Sequence, residues 1–176
     1  MLGNTPPPLA WIEQHLPPAQ PDRTALDLAC GSGRHTRLLV ARGYKVTAVD
    51  RDLSRLGEIA GVEAIQADLE DGSAQSPLGP LPGQRFDVIV VTDYLHRPLF
   101  PAIAAALAPG GLLLYETFAI GNEKYGKPSN PNFLLREGEL LDMARQFDLH
   151  VLAYEAVEET APHAAIKQRI AAQRTK

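Results

Sequence analysis

Cysteine is almost absent from this chain of 176 residues; the single Cys30 rules out an internal disulfide framework and fits a reducing, cytoplasmic setting. Clustered metal ligands are lacking too. His15, His35, His96, His150 and His163 are dispersed, and none stands at zinc-ligand spacing from another histidine or from Cys30. The longest apolar stretch, residues 103–115, is interrupted by Pro109-Gly110-Gly111 and is too short to span a bilayer. The opening MLGNTPPPLAW has neither the charged start nor the apolar core of a secretory signal. Positive charge is not in excess either. A formal net charge of -4 and a pI near 5.7 disfavour a domain built mainly to hold phosphate backbones, although a local basic patch is compatible with them.

What remains is the composition of one soluble globular domain, 45% hydrophobic and 22% charged, with enough length to bury a core. No internal repeat is visible. Thr5-Pro6-Pro7-Pro8 cannot be helical, because proline lacks the amide donor and restricts the residue before it. Residues 9–16 suit a short helix stopped by Pro17-Pro18, within an N-terminal extension of residues 1–23. A regular alternation follows. Residues 25–30 form an apolar run ending in Gly-Ser-Gly. Residues 34–42 have helical spacing, stopped by Gly43. Residues 45–49 are β-branched and apolar, as in a buried parallel strand. The pattern predicts a helix over 53–59, a strand over 62–66, a Gly/Pro-rich loop over 76–83 and a strong strand over 86–91. A helix over 98–107, a Pro-Gly-Gly turn and a fifth strand over 112–116 come next. Strands alternating with helices at this spacing need crossover connections, hence a parallel sheet in a three-layer α/β domain. The end departs from this rhythm: a long polar loop, a helix near 137–147, and two strands over 149–157 and 164–171 that read as an antiparallel hairpin.

The chemistry concentrates at strand ends. Leu26-Asp27-Leu28-Ala29-Cys30-Gly31-Ser32-Gly33 follows the first strand and opens a helix, where glycines let the backbone turn and approach a ligand. Asp50 closes the second strand, placed to accept two hydrogen bonds from a ribose diol. Asp68-Leu69 follows the third strand, where an acid can accept from an adenine amino group, and Asp93 follows the fourth. Four carboxylates around one cleft suit a cationic cofactor and repel a diphosphate.

In these residues the sequence resembles the class I S-adenosylmethionine-dependent methyltransferases. The resemblance is carried by Asp27-x-x-x-Gly31-x-Gly33, Asp50, Asp68-Leu69, the strand Phe86-Asp87-Val88-Ile89-Val90 and Leu107-x-Pro109-Gly110-Gly111, in order over residues 24–116. It implies a Rossmann-like methyltransferase fold over one domain, with a mostly parallel seven-stranded sheet and the terminal hairpin as its last two strands. It also implies roles. Asp27, Ala29, Gly31 and Gly33 line the methionine part, Asp50 holds the ribose, Asp68 and Leu69 hold the adenine, and Asp93 sits beside the sulfonium or amino group. Cys30 reads as a small packing residue. A dehydrogenase fits less well, since a dinucleotide fingerprint wants a third glycine where this chain has Thr36.

Methyl transfer to an activated sulfonium carbon needs alignment above all, so the loops after the fourth and fifth strands are where an acceptor belongs. In Thr92-Asp93-Tyr94-Leu95-His96, His96 has the chemistry of a general base or of a helix cap. Tyr94 suits stacking on a substrate, closing the cofactor pocket, or core packing. The Asn/Asp-Pro-Pro-aromatic signature of enzymes that methylate nucleobase or glutamine amino groups is absent. Residues 117–135 read as a lid over the active site, with Glu116, Phe118, Asn122, Tyr125 and Asn130 as substrate or lid residues. Their pattern is loosely similar to tellurite-resistance-type bacterial methyltransferases. The tail from His163 carries Lys167, Arg169, Arg174 and Lys176 with no acids, and Glu155, Glu158 and Glu159 precede it, which predicts cross-strand pairing in the hairpin in preference to an RNA-facing strip. The expectation is therefore a cytoplasmic methyltransferase, monomer or homodimer, acting on a small molecule without metal or membrane. An RNA or protein methyltransferase and a non-catalytic cofactor-binding module are the alternatives.

Overall fold

A computed structural model describes residues 5–71, 78, 81 and 83–175. Seven strands form one sheet in the order β3-β2-β1-β4-β5-β7-β6. They are β1 (Thr24–Leu28), β2 (Lys45–Asp50), β3 (Val62–Gln66), β4 (Phe86–Thr92), β5 (Leu107–Phe118), β6 (Leu149–Glu159) and β7 (Ala165–Arg174). The first five are mutually parallel, whereas β7 lies antiparallel between β5 and β6. The expected seven-stranded fold with a terminal hairpin is what the chain adopts.

Among the described residues four α-helices cover the sheet: α1 (Ala10–His15), α2 (Arg34–Ala41), α3 (Phe100–Ala106) and α4 (Glu139–Gln146). Burial divides them between the two faces because strand side chains alternate. Trp11, Ile12 and Leu16 around α1, with Leu38 and Leu39 of α2, pack on Val46, Val88, Val90 and Leu114. Ile103 of α3, with Leu140 and Met143 of α4, packs on Leu26, Leu28, Ile89, Val91 and Leu113. β1 and β4 are covered on both sides and are almost wholly buried, whereas the edge strand β3 is largely exposed.

Two local expectations are corrected. The helix expected over 53–59 is a single 3-10 turn, Leu53–Arg55, capped by the Asp52 carboxylate on the Ser54 amide. Gly57, at φ +68°, turns the chain out of helical geometry directly afterwards. The Pro-Gly-Gly turn does not precede the fifth strand but lies within it: Phe86 pairs with Leu107 and Val88 with Leu112, so residues 108–111 bulge from the ladder. A Cβ on Gly111 would stand 2.8 Å from the Ala108 carbonyl oxygen and 2.9 Å from that of Phe86, so only glycine fits. Most of the loop expected over 76–83 lies outside the described residues. Among those described, no helix is long and apolar enough to cross a membrane.

The candidate active site

Strand order reverses between β1 and β4, with β2 and β3 on one side and β5 on the other. Chains leaving the carboxyl ends of β1 and β4 therefore diverge to opposite faces and leave a crevice, the usual ligand position in such sheets. A cavity of about 1110 Å³ opens there. It is large enough for a nucleoside and a second small molecule side by side. Every parallel strand contributes to its wall: Ala29, Cys30 and Gly31 after β1, Asp50 from β2, Asp68, Leu69 and Glu70 after β3, Asp93, Tyr94 and Leu95 after β4, and Thr117 and Phe118 from β5.

The glycine turn is bent by three residues at positive φ, Ala29 at +57°, Gly31 at +54° and Gly33 at +76°. Asp50 ties it to β2, its Oδ2 accepting from the Gly31 amide at 2.8 Å while Oδ1 accepts from Asp52 at 3.0 Å. A Cβ at Gly31 would meet only the Arg55 guanidinium, at 3.4 Å. That open space is the close approach a ligand would use. Asp27 is 1% exposed beneath the turn and accepts from the Thr36 hydroxyl at 2.5 Å. Burial pushes its carboxyl up to about 6. Gly33 abuts Leu56 and Arg37 behind the wall. Asp27 and Gly33 thus support the turn without lining the cavity. Burial and the neighbouring Asp27 and Asp50 charges push the Cys30 thiol up to about 12, so it packs as an un-ionised side chain.

At the end of β4, Asp93 adopts φ +52° and has both oxygens engaged by cations: Oδ2 by Arg34 at 2.7 Å and Oδ1 by Lys167 at 3.1 Å. Lys167 lies over the Phe118 ring and reaches Glu116 at 3.3 Å; Arg169 continues the chain of alternating charge to Glu155 and Glu159. Glu116 is therefore a buried structural carboxylate, pushed upward by its burial, and not part of the cavity wall. Of the cross-strand pairs expected in the hairpin, Arg169 makes its own, while Lys167 is recruited inward and Arg174 binds carbonyls of residues 104, 105 and 107. Tyr94 lines the cavity, its backbone held by the Tyr115 hydroxyl at 2.9 Å. Its own hydroxyl is buried beside the Glu70 carboxylate, and burial together with that charge pushes it well above the ordinary phenol range. His96 does not line the cavity; its Nδ1 faces Glu70 at 3.9 Å.

Residues 119–135 leave β5 and return beside it, Ile120 and Leu135 closing the base by backbone bonds. Arg97 braces the returning end, giving two hydrogen bonds to Glu139 and one each to the carbonyls of Asn132 and Leu134. Asn122 is 2% exposed and structural, donating to the Pro128 carbonyl and accepting from the Ile166 amide. Tyr125 bonds Glu158 on the hairpin, and Asn130 caps a 3-10 turn at Pro131–Phe133. From this segment it is Pro128 and Phe133 that reach the cavity. Both fall in the expected lid but were not singled out as contacts, and the sequence did not connect Arg34, Lys167 or His35 with the site.

A family model described as a methyltransferase domain matches residues 7–156. The chain belongs to that methyltransferase family. Over 172 residues it is 28% identical to a ubiquinone biosynthesis O-methyltransferase of Burkholderia multivorans, covering 85% of this chain and 73% of that one. Over 99 residues it is 34% identical to a trans-aconitate 2-methyltransferase of Paracidovorax citrulli, covering 50% of this chain and only 36% of that protein. Its fold matches an S-adenosylmethionine-dependent methyltransferase from Mesorhizobium loti with a TM-score of 0.69 at 18% identity, over 93% and 96% of the two chains. TehB from Haemophilus influenzae superposes with a TM-score of 0.68 at 21% identity, over 88% of this chain and 58% of TehB.

Proposed function

We propose that this methyltransferase moves the methyl group of S-adenosylmethionine to a small-molecule acceptor bound between the ends of β4 and β5. The observation that carries the reading is the shared cavity: Gly31, Asp50 and Asp68 line one part of it, and Leu95, Phe118, Pro128 and Phe133 another. The residues present suit the cofactor. Asp50 offers its remaining lone pairs to a ribose diol, Asp68 and Leu69 flank an adenine, and the Tyr94 side chain closes the same pocket. Ala29 and Gly31 face the methionine part, supported from behind by Asp27 and Gly33.

When bound, the cofactor supplies a methyl carbon already activated by its positive sulfur. The chain's task is to align an acceptor with that carbon, and alignment can lower a barrier by roughly 7–11 kcal/mol. Asp93, with both oxygens engaged by Arg34 and Lys167, serves better as an orienting group than as a proton acceptor. His96, outside the wall, stays in reserve as a helix-entry residue. Phe118 and Phe133 hold an apolar acceptor scaffold against the donor, and Glu116, Asn122, Tyr125 and Asn130 act by shaping that wall. Both curated relatives carry names of small-molecule methyltransferases, which favours a small acceptor over RNA or protein.

Calorimetry with S-adenosylmethionine and S-adenosylhomocysteine tests the donor site. Asp50→Ala is expected to weaken binding by about 1–3 kcal/mol, the loss of charge-assisted bonds to the ribose. Unchanged affinity would remove Asp50 from the site. The acceptor is tested by S-adenosylhomocysteine release over a panel of metabolites and, as a control, RNA and protein substrates; turnover confined to the macromolecules would overturn the small-molecule reading.

A further inference from the structure

Residues 5–9 run to the rim of the same cavity, which Thr5 and Pro6 help to line. Their sequence explains how they are held. Pro6, Pro7 and Pro8 have no backbone N–H, so the segment is stiff, extended and unable to pair with the sheet. The first donor after the prolines is the Leu9 amide, and it goes to His35 Nε2 at 3.1 Å. His35 is 2% exposed on the first turn of α2. Its other ring nitrogen, Nδ1, meets the Thr92 hydroxyl at 3.2 Å, at the last residue of β4.

These partners fix the ring's state. Because Nε2 accepts from Leu9, the proton of the neutral imidazole sits on Nδ1 and is donated to Thr92. Burial, reinforced by the Arg34 charge, pushes the imidazole down to about 3, so the ring keeps this tautomer across the working pH range. One side chain thereby joins three walls of the cavity: the N-terminal segment, the helix that follows the glycine turn, and the end of β4 beside Asp93.

Strand order says which part of the donor lies below. Asp50 and Asp68, the ribose and adenine acids, belong to β2 and the end of β3; the His35 junction spans β1 and β4. We propose that residues 5–9 are a fixed strap over the amino-acid end of S-adenosylmethionine, and that His35 is the positioning residue that fastens it. This rests on the donor assignment above.

The test compares S-adenosylhomocysteine with 5′-methylthioadenosine, which lacks the amino-acid arm, by calorimetry on the full chain. Leu9→Pro deletes the donor without touching His35, and Leu9 already has φ −65°, the value proline imposes. His35→Phe deletes the acceptor. Each is expected to weaken S-adenosylhomocysteine about tenfold while 5′-methylthioadenosine changes less than about twofold, and the double variant should be no weaker than the worse single. Additive losses, equal losses for both ligands, or no loss would overturn the strap. Should either variant fail to fold, amide exchange on the unaltered protein decides: Leu9 should gain protection with S-adenosylhomocysteine and not with 5′-methylthioadenosine, and equal protection by both overturns the proposal. An unaltered protein that binds neither ligand refutes the donor assignment itself, a result distinct from binding that ignores the variants.

Discussion

Asp27 gives the fold a pH dependence whose size can be worked out. In an unfolded chain its carboxyl titrates near 3.8; in the fold burial raises it to about 6, against the lowering effects of Thr36 and Arg34. Between these values the folded state binds more protons than the unfolded one. Stability is therefore fully present below pH 3.8 and is lost as pH rises through 6. The shift corresponds to about 3 kcal/mol of destabilisation once the group is ionised in both states. Asp27→Asn removes the titration and keeps an oxygen for the Thr36 hydroxyl. Relative to the wild type, the variant should gain about 2 kcal/mol between pH 4.5 and pH 7.5, with no further gain at higher pH. Urea unfolding followed by circular dichroism at pH 4.5, 6 and 7.5 measures this. A difference that stays flat, or that shrinks as pH rises, refutes the reasoning, since it would mean that the carboxylate is held ionised by its neighbours. The variant should also bind S-adenosylmethionine more weakly at pH 7.5, because a cationic ligand loses an anion beneath its loop.

Gly33→Ala should cost more than 2 kcal/mol in urea unfolding, because φ is +76° and a Cβ would stand 2.5 Å from Leu56. Gly61→Ala, at the same φ with nothing within 4 Å, should cost about 1 kcal/mol and isolates the backbone part. Arg97→Met leaves the buried Glu139 carboxylate to Arg136 alone and takes a donor from two carbonyls, with an expected loss of about 2–4 kcal/mol. Glu139 is held below its ordinary range by Arg97 and Arg136 in spite of burial, so this deficit should shrink as pH falls and the carboxylate protonates. Phe133→Ala should raise the acceptor KM severalfold while calorimetric affinity for S-adenosylhomocysteine stays within about twofold.

The sheet was legible because its signals are local. β1, β2 and β4 are apolar runs of strand length, Asp50 closes a strand, and Asp68 and Asp93 fall within two residues of strand ends, so periodicity alone put them on one edge. The helix expected over 53–59 failed because Leu53 and Leu56 mimic helical spacing while Gly57 and Gly61 favour a coil. The Pro-Gly-Gly motif was recognised as a turn, but its place inside β5 depends on Phe86 and Gln173, which the local pattern cannot report. What escaped the sequence is long-range pairing. Arg34 meets Asp93 across 59 positions and Lys167 meets it across 74, so nothing near Asp93 announces that its charge is already balanced. Glu116 looked like a ligand contact because it is an acid at the end of a predicted strand, and Asn122 and Tyr125 because they are polar residues in a long loop. Their partners on β7 and the hairpin turn them into fasteners.

The helix-free passage from β2 to β3 has an evolutionary consequence. Parallel crossovers generally spend a helix there, whereas this chain holds the passage with a buried Leu56 and with Arg37, which donates to the carbonyls of Ser32, Gly33 and Leu56. Arg51, Ser54 and Arg55 are exposed side chains along it that border the cavity near Asp50. Selection can therefore vary those positions, and with them the border of the cavity, with small risk to the sheet beneath them.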